Sequence, residues 1–305
     1  MTTFLCPGQG AQTPNFLHRL PEVKQVQETL QEASDTLGFD ALSLDTEQSL
    51  RSTVSVQLSI LIAGTAAARA LEAMDVKPNA VAGISIGSFT AAVVAEAIGF
   101  KDALTLVSLR AKLMEEAYPE GYGMAAFGGL RQLQLAQLAQ DAERSDERLF
   151  LANFNGPTEI VVTGAVAALD RLVALATDAG ARRAQRLAVS VPSHCELLEP
   201  VAGALTKAVS DCQIVAPKLT YVGNRTARVL RTAQDVASEL ATNVSHPVKW
   251  WDSTTLLYEL GEQEFVELPP GNVLTGLIEN AGGDVIAKSF ADPPLSSLVY
   301  LFKNN

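Results

Sequence analysis

The chain has 305 residues, of which 48% are hydrophobic and 19% charged, as is typical of a globular enzyme with one large and one smaller domain. Its net charge of −11 argues against binding to nucleic acids or acidic membranes, because both are polyanions. Cys6, Cys195 and Cys212 show no paired spacing, and no basic stretch precedes an early apolar run. We therefore expect a cytoplasmic protein without a signal peptide.

The N-terminal segment predicts a short strand, Thr3–Cys6, that runs into the glycine-containing loop Pro7–Gln12. Its two glycines leave backbone N–H groups unobstructed, which suits an oxyanion site, although an ordinary strand-to-helix loop has the same composition. Helical periodicity follows in Glu22–Leu37 and Thr53–Met74. Within the second helix Gln57 stands among apolar residues, so it is either a buried structural amide or a residue that lines a site.

A G-x-S-x-G pentapeptide formed by Gly83, Ser85 and Gly87 lies in a long apolar segment. The preceding residues, Ala80–Ala82, predict the end of a buried strand, and Phe89–Ala97 predicts a helix. A serine at such a strand-to-helix turn is strained and exposed, and bulky residues two positions away on either side would make the strand and helix collide. The pattern therefore predicts a nucleophilic serine at the N-terminus of a helix.

The next predicted helix, Asp102–Tyr118, carries Arg110 in an otherwise apolar pattern. Such an arginine needs an anionic partner or a route to solvent for its charged end. Pro119–Gly123 then breaks the pattern, and we predict a domain boundary there.

Strand-like and helix-like segments then alternate in the order β-α-β-β-α-β, the ferredoxin-like pattern, and end on a strand predicted at Arg186–Val189. We assign residues 123–190 to this small domain, and 1–122 with 191–305 to a discontinuous large domain. An arginine cluster near the end of the small domain is either a solvated face or a docking patch: Arg182, Arg183 and Arg186.

A nucleophilic serine needs a base, and the chain has three histidines, His18, His194 and His246. His194 lies at the predicted domain junction just before a helix, so we predict it to be the base. A Cys–His pair with Cys195 is the alternative, but consecutive side chains diverge. No acidic residue stands out as the orienting partner, and a backbone carbonyl can fix the histidine tautomer instead. Because metal and P-loop patterns are absent from the sequence, we expect no metal and no nucleotide-phosphate site.

Together these motifs resemble the malonyl-CoA:acyl-carrier-protein transacylases over essentially the full length. The matching stretches are Pro7–Gln12, Gly83–Gly87, Arg110, Ala152–Asn155, Val191–His194, Pro247–Trp250 and Pro270–Leu277. The resemblance implies an α/β fold, with a hydrolase-like large domain, an inserted ferredoxin-like small domain and an active site in the cleft between them.

The resemblance also implies a role for each matching residue. These are Ser85 as nucleophile, His194 as base, the carbonyl of Asn243 as the group that orients it, the backbone amides of Gln9 and Ile86 as oxyanion hole, Arg110 as the malonyl carboxylate ligand, and Gln57 as a substrate-lining residue. A fixed guanidinium binds a planar carboxylate through two parallel hydrogen bonds, which selects malonyl over acetyl. The implied substrates are malonyl-CoA and the prosthetic-arm thiol of an acyl carrier protein, with no bound cofactor.

Three residues depart from the pattern of the fatty-acid-synthesis enzymes. Ile84 precedes the nucleophile where those enzymes usually carry histidine, Ser88 replaces an acidic residue, and Cys6 replaces an aromatic one. These features, with the segments Asn15–Pro21 and Arg51–Leu58, are similar to the epsilon subunit of malonate decarboxylase. That resemblance implies that the acceptor is the carrier subunit of the decarboxylase.

Three other interpretations compete with this one. A fatty-acid-synthesis transacylase would use the same chemistry with a different carrier. A lipase-like hydrolase is disfavoured because a buried Arg110 serves no neutral ester. A scaffold subunit without activity would need neither Ser85 nor His194.

Overall fold

The computed structural model describes residues 2–118, 120–292 and 294–303, so that Pro119, at the predicted break, lies outside the described residues. The strands are β1 (Thr2–Cys6), β2 (Pro78–Gly83), β3 (Tyr122–Gly128), β4 (Leu149–Gly156), β5 (Glu159–Ala165), β6 (Arg183–Arg186), β7 (Thr220–Gly223), β8 (Arg228–Leu230), β9 (Glu264–Glu267) and β10 (Ile286–Ser289). The α-helices are α1 (Lys24–Leu37), α2 (Thr53–Ala73), α3 (Gly87–Val94), α4 (Phe100–Ala117), α5 (Gln132–Ala142), α6 (Val166–Asp178), α7 (Glu199–Val209), α8 (Ala233–Thr242), α9 (Trp250–Glu259), α10 (Val273–Ala281) and α11 (Leu295–Lys303). Short 3-10 helices cover Ala41–Asp45, Ser49–Arg51, Glu196–Leu198 and Asn243–Ser245.

A six-stranded sheet has the strand order β10-β9-β1-β2-β7-β8. Neighbouring strands in this sheet are parallel, except that β7 and β8 are antiparallel. Cys6 at the end of β1 lies opposite Gly83 at the end of β2. Because parallel strands end at the same edge of a sheet, the loop after β1 and the serine turn after β2 meet there.

Side chains alternate along the strands, so the two faces of this sheet pack against two separate apolar cores. Phe4 and Val81 point into the core that contains α2, whereas Leu5 and Ala82 point toward the core that contains α9 and α10. Among the described residues α2 is the one helix long and apolar enough to cross a membrane, and 83% of its most apolar stretch is buried inside the protein. It is therefore placed as a core helix. The apolar window Ala80–Phe100 likewise forms buried β2 and α3, as its residues predict.

A second sheet is antiparallel throughout, with the order β4-β5-β3-β6. Helices α5 and α6 cover one of its faces through an apolar cluster that includes Phe127 and Leu172. Met124, Ala126 and Val161 lie on its other face. The predicted β-α-β-β-α-β order and ferredoxin-like arrangement are confirmed, and together with the parallel sheet they give the expected α/β fold. The domain boundaries at 123 and 190 stay a prediction.

The small sheet departs from expectation at its last strand. That strand was predicted at Arg186–Val189 but runs from Arg183 to Arg186. The apolar residues Leu187 and Val189 lie beyond the strand and line a cavity, although the N–H of Leu187 still donates to the carbonyl oxygen of Met124 on β3. In the rest of the large domain the sequence predicts strands near Leu219–Val222 and Phe265–Glu267 and helices at Glu196–Ala208, after Ser253 and at Val273–Glu279. These correspond to β7, β9, α7, α9 and α10, whereas β8, α8, β10 and α11 are not predicted.

Candidate active site

The turn after β2 holds Ser85 in a left-handed conformation, with φ 57°. An added Cβ at Gly83 would lie 2.3 Å from the carbonyl carbon of Gly87, and one at Gly87 would lie 2.0 Å from the carbonyl oxygen of Cys6. Distances this short exclude any side chain at either position. Both glycines of the pentapeptide are therefore required by the close approach of strand and helix, as the motif predicts.

Arg110 reaches the serine from α4 and is fully buried, with 0% exposure. Its Nη2 donates to Oγ of Ser85 at 3.0 Å, and its Nη1 donates to Oε1 of Gln57. Its Nε is buried without a partner. Burial lowers the pKa of Arg110 to about 9, and no carboxylate of the described residues opposes that shift. A buried cation without an anion is costly, so the site favours an anionic ligand.

His194 is buried, and its Nδ1 lies 2.8 Å from the carbonyl oxygen of Asn243 and 3.2 Å from that of His246. Carbonyls accept hydrogen bonds, so Nδ1 must carry the proton and Nε2 is left as the basic nitrogen. Burial, and then the positive charge of Arg110, lowers the pKa of His194 to about 4. The imidazole is therefore neutral at physiological pH, as a general base must be.

The other nucleophile and base candidates have different partners. Nδ1 of His18 lies 3.0 Å from a carboxylate oxygen of Asp45, and Nδ1 of His246 lies 3.0 Å from the carbonyl oxygen of Thr242. The thiol of Cys195 donates to Pro192, and burial raises its pKa to about 12. A thiol that stays protonated is a poor nucleophile, which argues against the Cys–His alternative.

The predicted oxyanion donors lie on either side of the serine turn. Ile86 follows Ser85 at the start of α3, and Gln9 belongs to the loop after β1. Within residues 2–118, 120–292 and 294–303, neither backbone amide has a hydrogen-bond partner. Gly8 brings the two segments together, since an added Cβ there would be 3.1 Å from the carbonyl oxygen of Ile84. Both amides are thus available to a ligand.

A cavity of about 280 Å³ connects these groups. Ser85, His194 and Gln9 line it, and the face of the small sheet without helices contributes residues such as Met124 and Val161. Both sheets therefore enclose the serine. Arg110 and Gln57 are not among the lining residues: Arg110 contacts the site through Ser85, and Gln57 contacts it only through Arg110.

Two buried residues were missed in the sequence: one contacts the serine turn directly, and the second contacts the first. Asn224 follows β7, and its Oδ1 accepts a hydrogen bond from the backbone N–H of Ser85 at 3.1 Å. Glu239 on α8 accepts a hydrogen bond from Nδ2 of Asn224 at 2.7 Å. A signal existed: Thr232 and Asp235 form a capping box that predicts a helix start, and Glu239 then falls among its apolar positions.

Comparison with known proteins adds an independent observation. The family described as acyl transferase domain matches residues 3–291. The malonyl CoA-acyl carrier protein transacylase of Haemophilus influenzae is 37% identical over 293 residues, which cover 94% of each chain. The enzyme of the same name from Escherichia coli K12 is 34% identical over 296 residues, covering 95% of this chain and 96% of the relative.

Solved structures agree with these relatives. An acyl-carrier-protein S-malonyltransferase from Burkholderia pseudomallei superposes with a TM-score of 0.92 at 34% identity, covering 99% of both chains. A malonyl-transacylase in complex with its type II PKS acyl-carrier protein superposes with a TM-score of 0.93 at 33% identity, covering 100% of this chain and 99% of that one.

Proposed function

Because this chain belongs to the acyl transferase family and is a malonyl-CoA:acyl-carrier-protein S-malonyltransferase, we propose that it transfers malonyl through an ester on Ser85. The donor is malonyl-CoA and the acceptor is the prosthetic-arm thiol of a carrier protein, so no bound cofactor is needed. The observation that carries the proposal is Arg110, a fully buried cation that contacts the nucleophile and has no anionic partner in the described chain.

In the first half of the reaction, Nε2 of His194 accepts the proton of Ser85 as Oγ attacks the thioester carbon. The amides of Gln9 and Ile86 stabilise the negative charge that develops on the carbonyl oxygen. The coenzyme A thiolate then leaves and takes the proton from His194. In the second half, His194 deprotonates the arm thiol, which attacks the ester, and Ser85 recovers a proton.

Arg110 binds the free carboxylate of the malonyl group in this scheme. Its Nη2 exchanges the hydrogen bond to Ser85 for one to the carboxylate, its unpartnered Nε donates the second, and Gln57 continues to hold Nη1. That exchange satisfies the buried guanidinium and frees the serine hydroxyl for His194. An acetyl group offers no such exchange, so the site discriminates against it.

Replacing Ser85 and Arg110 separates the two roles. Ser85→Ala should form no acyl-enzyme with malonyl-CoA, which is measured by the mass of the intact protein.

Arg110→Ala should lower kcat/KM for malonyl-CoA about 30- to 1000-fold, because a charge-assisted bidentate pair is lost, but should maintain or raise acetyl transfer. Arg69→Ala is a matched control, since Arg69 already pairs with Glu32. Equal losses with both substrates would make Arg110 structural.

We also propose a particular acceptor, the carrier subunit of malonate decarboxylase with its arm derived from dephospho-CoA. Ile84 and Ser88 support it, since both differ from the fatty-acid-synthesis pattern: Ile84 lines the cavity, and Ser88 is buried against Asn224. The relatives named above favour the second candidate, a carrier of fatty-acid synthesis.

The two acceptors can be compared directly by measuring kcat/KM for each carrier at saturating malonyl-CoA. We expect a preference of at least about tenfold for the decarboxylase carrier, equivalent to about 1.4 kcal/mol. Equal values would favour the fatty-acid-synthesis transacylase. Formation of the Ser85 ester does not depend on the carrier, so a failure of this preference leaves the malonyl transfer itself unaffected.

A further inference from the structure

The backbone of the nucleophile is held by a buried chain of hydrogen bonds that the reaction scheme above does not use. The N–H of Ser85 donates to Oδ1 of Asn224 at 3.1 Å, and Nδ2 of Asn224 donates to Oε1 of Glu239 at 2.7 Å. Asn224 and Glu239 are each only 1% exposed. The chain therefore runs from α8 to the serine turn without contact with solvent.

Three N–H groups donate to the carboxylate of Glu239, one of which is Nδ2 of Asn224. The backbone N–H groups of Asn224 and Arg225 donate to its two oxygens at 3.2 and 3.4 Å. Gly223 leaves room for it, because an added Cβ there would lie 2.9 Å from Oε2. A carboxylate only accepts hydrogen bonds, so these donors oppose the rise in the pKa of Glu239 that its burial causes.

Glu239 determines which end of the Asn224 amide faces the serine. An acceptor on one side of that amide requires its NH2 group there, so the oxygen is directed to the N–H of Ser85. The same NH2 group also lies 2.5 Å from Oγ of Ser88, which in turn donates to the carbonyl oxygen of Gly83. If the amide turned over, its NH2 group would face the N–H of Ser85, and two donors would oppose each other.

The orientation of that peptide matters because Ser85 is strained. At φ 57° its backbone is held in place by its surroundings, which include Asn243 Nδ2 at 3.4 Å from its carbonyl oxygen. The next peptide carries the N–H of Ile86, the predicted oxyanion donor. A change in the tilt of the turn would therefore move both the attacking Oγ and the donor.

We propose that Glu239 is a positioning residue that acts through Asn224 to hold the serine turn in its reactive conformation. The proposal rests on the role of Ser85 given above. It assigns no contact with substrate to Glu239. It predicts that nucleophile reactivity, rather than substrate affinity, depends on this buried carboxylate.

The test compares Glu239→Ala, Asn224→Ala and the double variant. Two readouts are used: malonyl transfer, and the rate at which a small alkyl fluorophosphonate labels Ser85. Each single variant should lower kcat and the labelling rate about 10- to 100-fold, as a misplaced nucleophile does, with KM for malonyl-CoA changed less than about twofold. The double variant should be no slower than Asn224→Ala, because Glu239 acts through Asn224. Additive losses would overturn the proposal, as would labelling at the wild-type rate in Glu239→Ala.

Glu262→Ala is the matched control, because Glu262 is also a buried glutamate, which accepts from Thr3 at 2.8 Å at the other end of the sheet. It should label at the wild-type rate. Labelling without malonyl transfer in the wild-type enzyme would refute the proposed function and leave this inference standing.

Two further variants keep the test informative if Glu239→Ala folds poorly. Glu239→Gln preserves the volume but directs an NH2 group at one of the three donors, and should slow labelling about 3- to 10-fold. Labelling within twofold of wild type would show that the carboxylate is unnecessary and overturn the proposal. Adding Ser88→Asp to Glu239→Ala replaces the hydroxyl that accepts from Nδ2 of Asn224 by a carboxylate, a stronger acceptor, and should restore part of the lost rate.

Discussion

The imidazole of His194 is shielded from water beside a buried arginine, and this environment governs its titration. Burial is the larger cause of its lowered pKa and the charge of Arg110 the second, while the carbonyls of Asn243 and His246 oppose them; the resulting value is about 4. A lowered pKa keeps the proposed base unprotonated, as a general base must be, at pH values where an ordinary histidine is protonated.

We predict that the rate of acylation by malonyl-CoA stays constant from neutral pH down to about pH 5 and falls near the pKa of about 4. In Arg110→Ala, assayed with acetyl-CoA, the acid limb should move to higher pH because one cause of the lowered pKa is removed. Single-turnover acylation across pH measures both. A wild-type limb at the ordinary histidine value of 6.5 would contradict the assignment of His194, whereas His18→Ala should change nothing.

The same pKa difference affects stability. The unfolded chain binds the proton with the ordinary pKa of 6.5 and the folded chain with about 4. The unfolded state therefore gains protons first as pH falls, and the free energy of unfolding decreases between these values. Acid-limb measurements thus need a folding control at each pH.

At the scale of elements, the turn between β2 and α3 fixes the position of Ser85, the proposed nucleophile, by close backbone contact rather than by side-chain packing. The carbonyl oxygen of Cys6 lies 2.0 Å from the position that a Cβ on Gly87 would occupy. Backbone atoms cannot rotate away as a flexible side chain can. Any residue larger than glycine must therefore separate α3 from the end of β1.

Gly87→Ala should destabilise the protein by about 1–3 kcal/mol or more, because overpacking forces backbone shifts, and should also abolish labelling of Ser85. Urea unfolding and fluorophosphonate labelling measure the two effects. Gly203→Ala is the control: Gly203 lies inside α7 with nothing within 4 Å of an added Cβ. That change should stabilise the chain by about 0.5–1 kcal/mol, since alanine is the better helix former. Normal activity in Gly87→Ala would refute the elbow argument.

Predictability also differs from element to element. The serine turn was predictable because its two glycines, its strand and its helix lie within about 20 residues of one another. Helix α8 was not, although Thr232 and Asp235 mark its start, because its moderate apolar pattern is short. Its importance comes from Asn243, the residue that caps its end and contacts Ser85, and from Glu239, which reaches Ser85 through Asn224. These contacts form only in the folded chain.

At the scale of the whole molecule, the order of strands in the six-stranded sheet could not be derived from local patterns. Strand β9 pairs with β1 from the opposite end of the chain, and Thr2 lies opposite Glu264. The ferredoxin-like sheet was predictable because its strands follow one another in a compact segment. The cleft lies between the two sheets, so its shape depends both on pairing between distant segments of the chain and on pairing between consecutive strands.

The arginine cluster of the small sheet separates once its strand is seen. Arg183 and Arg186 are an odd number of positions apart on β6, so their side chains point to opposite faces. Arg183 lines the cavity that contains Ser85, and its guanidinium lies 3.5 Å from Glu159. Arg186 pairs with Asp170 of α6 at 3.0 Å. The three arginines are therefore not one continuous patch.

Because the three arginines do not form one patch, we expect only those beside the cleft to contribute to carrier docking. Carrier proteins of this kind are usually acidic, and so is this chain at −11, so attraction must come from a local cation beside the cleft. Arg183 is the candidate because it lines the cleft, with Arg182 next to it in the chain, whereas Arg186 pairs with Asp170 on the helical face. The double change Arg182→Glu and Arg183→Glu should raise KM for the carrier several-fold, the size expected for exposed charges worth about 1 kcal/mol. Arg186→Glu should have little effect on the same KM.

For each variant, the test of this docking surface compares the change in KM for the carrier with the change in the rate of acylation by malonyl-CoA. Acylation by malonyl-CoA precedes carrier binding, so its rate should change less than KM for the carrier does. Steady-state kinetics with varied carrier, and single-turnover acylation without it, provide the two values for each variant. Salt dependence is a weaker measurement, because added ions screen the overall repulsion and the local attraction alike. If Arg186→Glu impaired carrier use as much as the double variant, the docking surface would lie on the helical face of the small sheet rather than at the cleft.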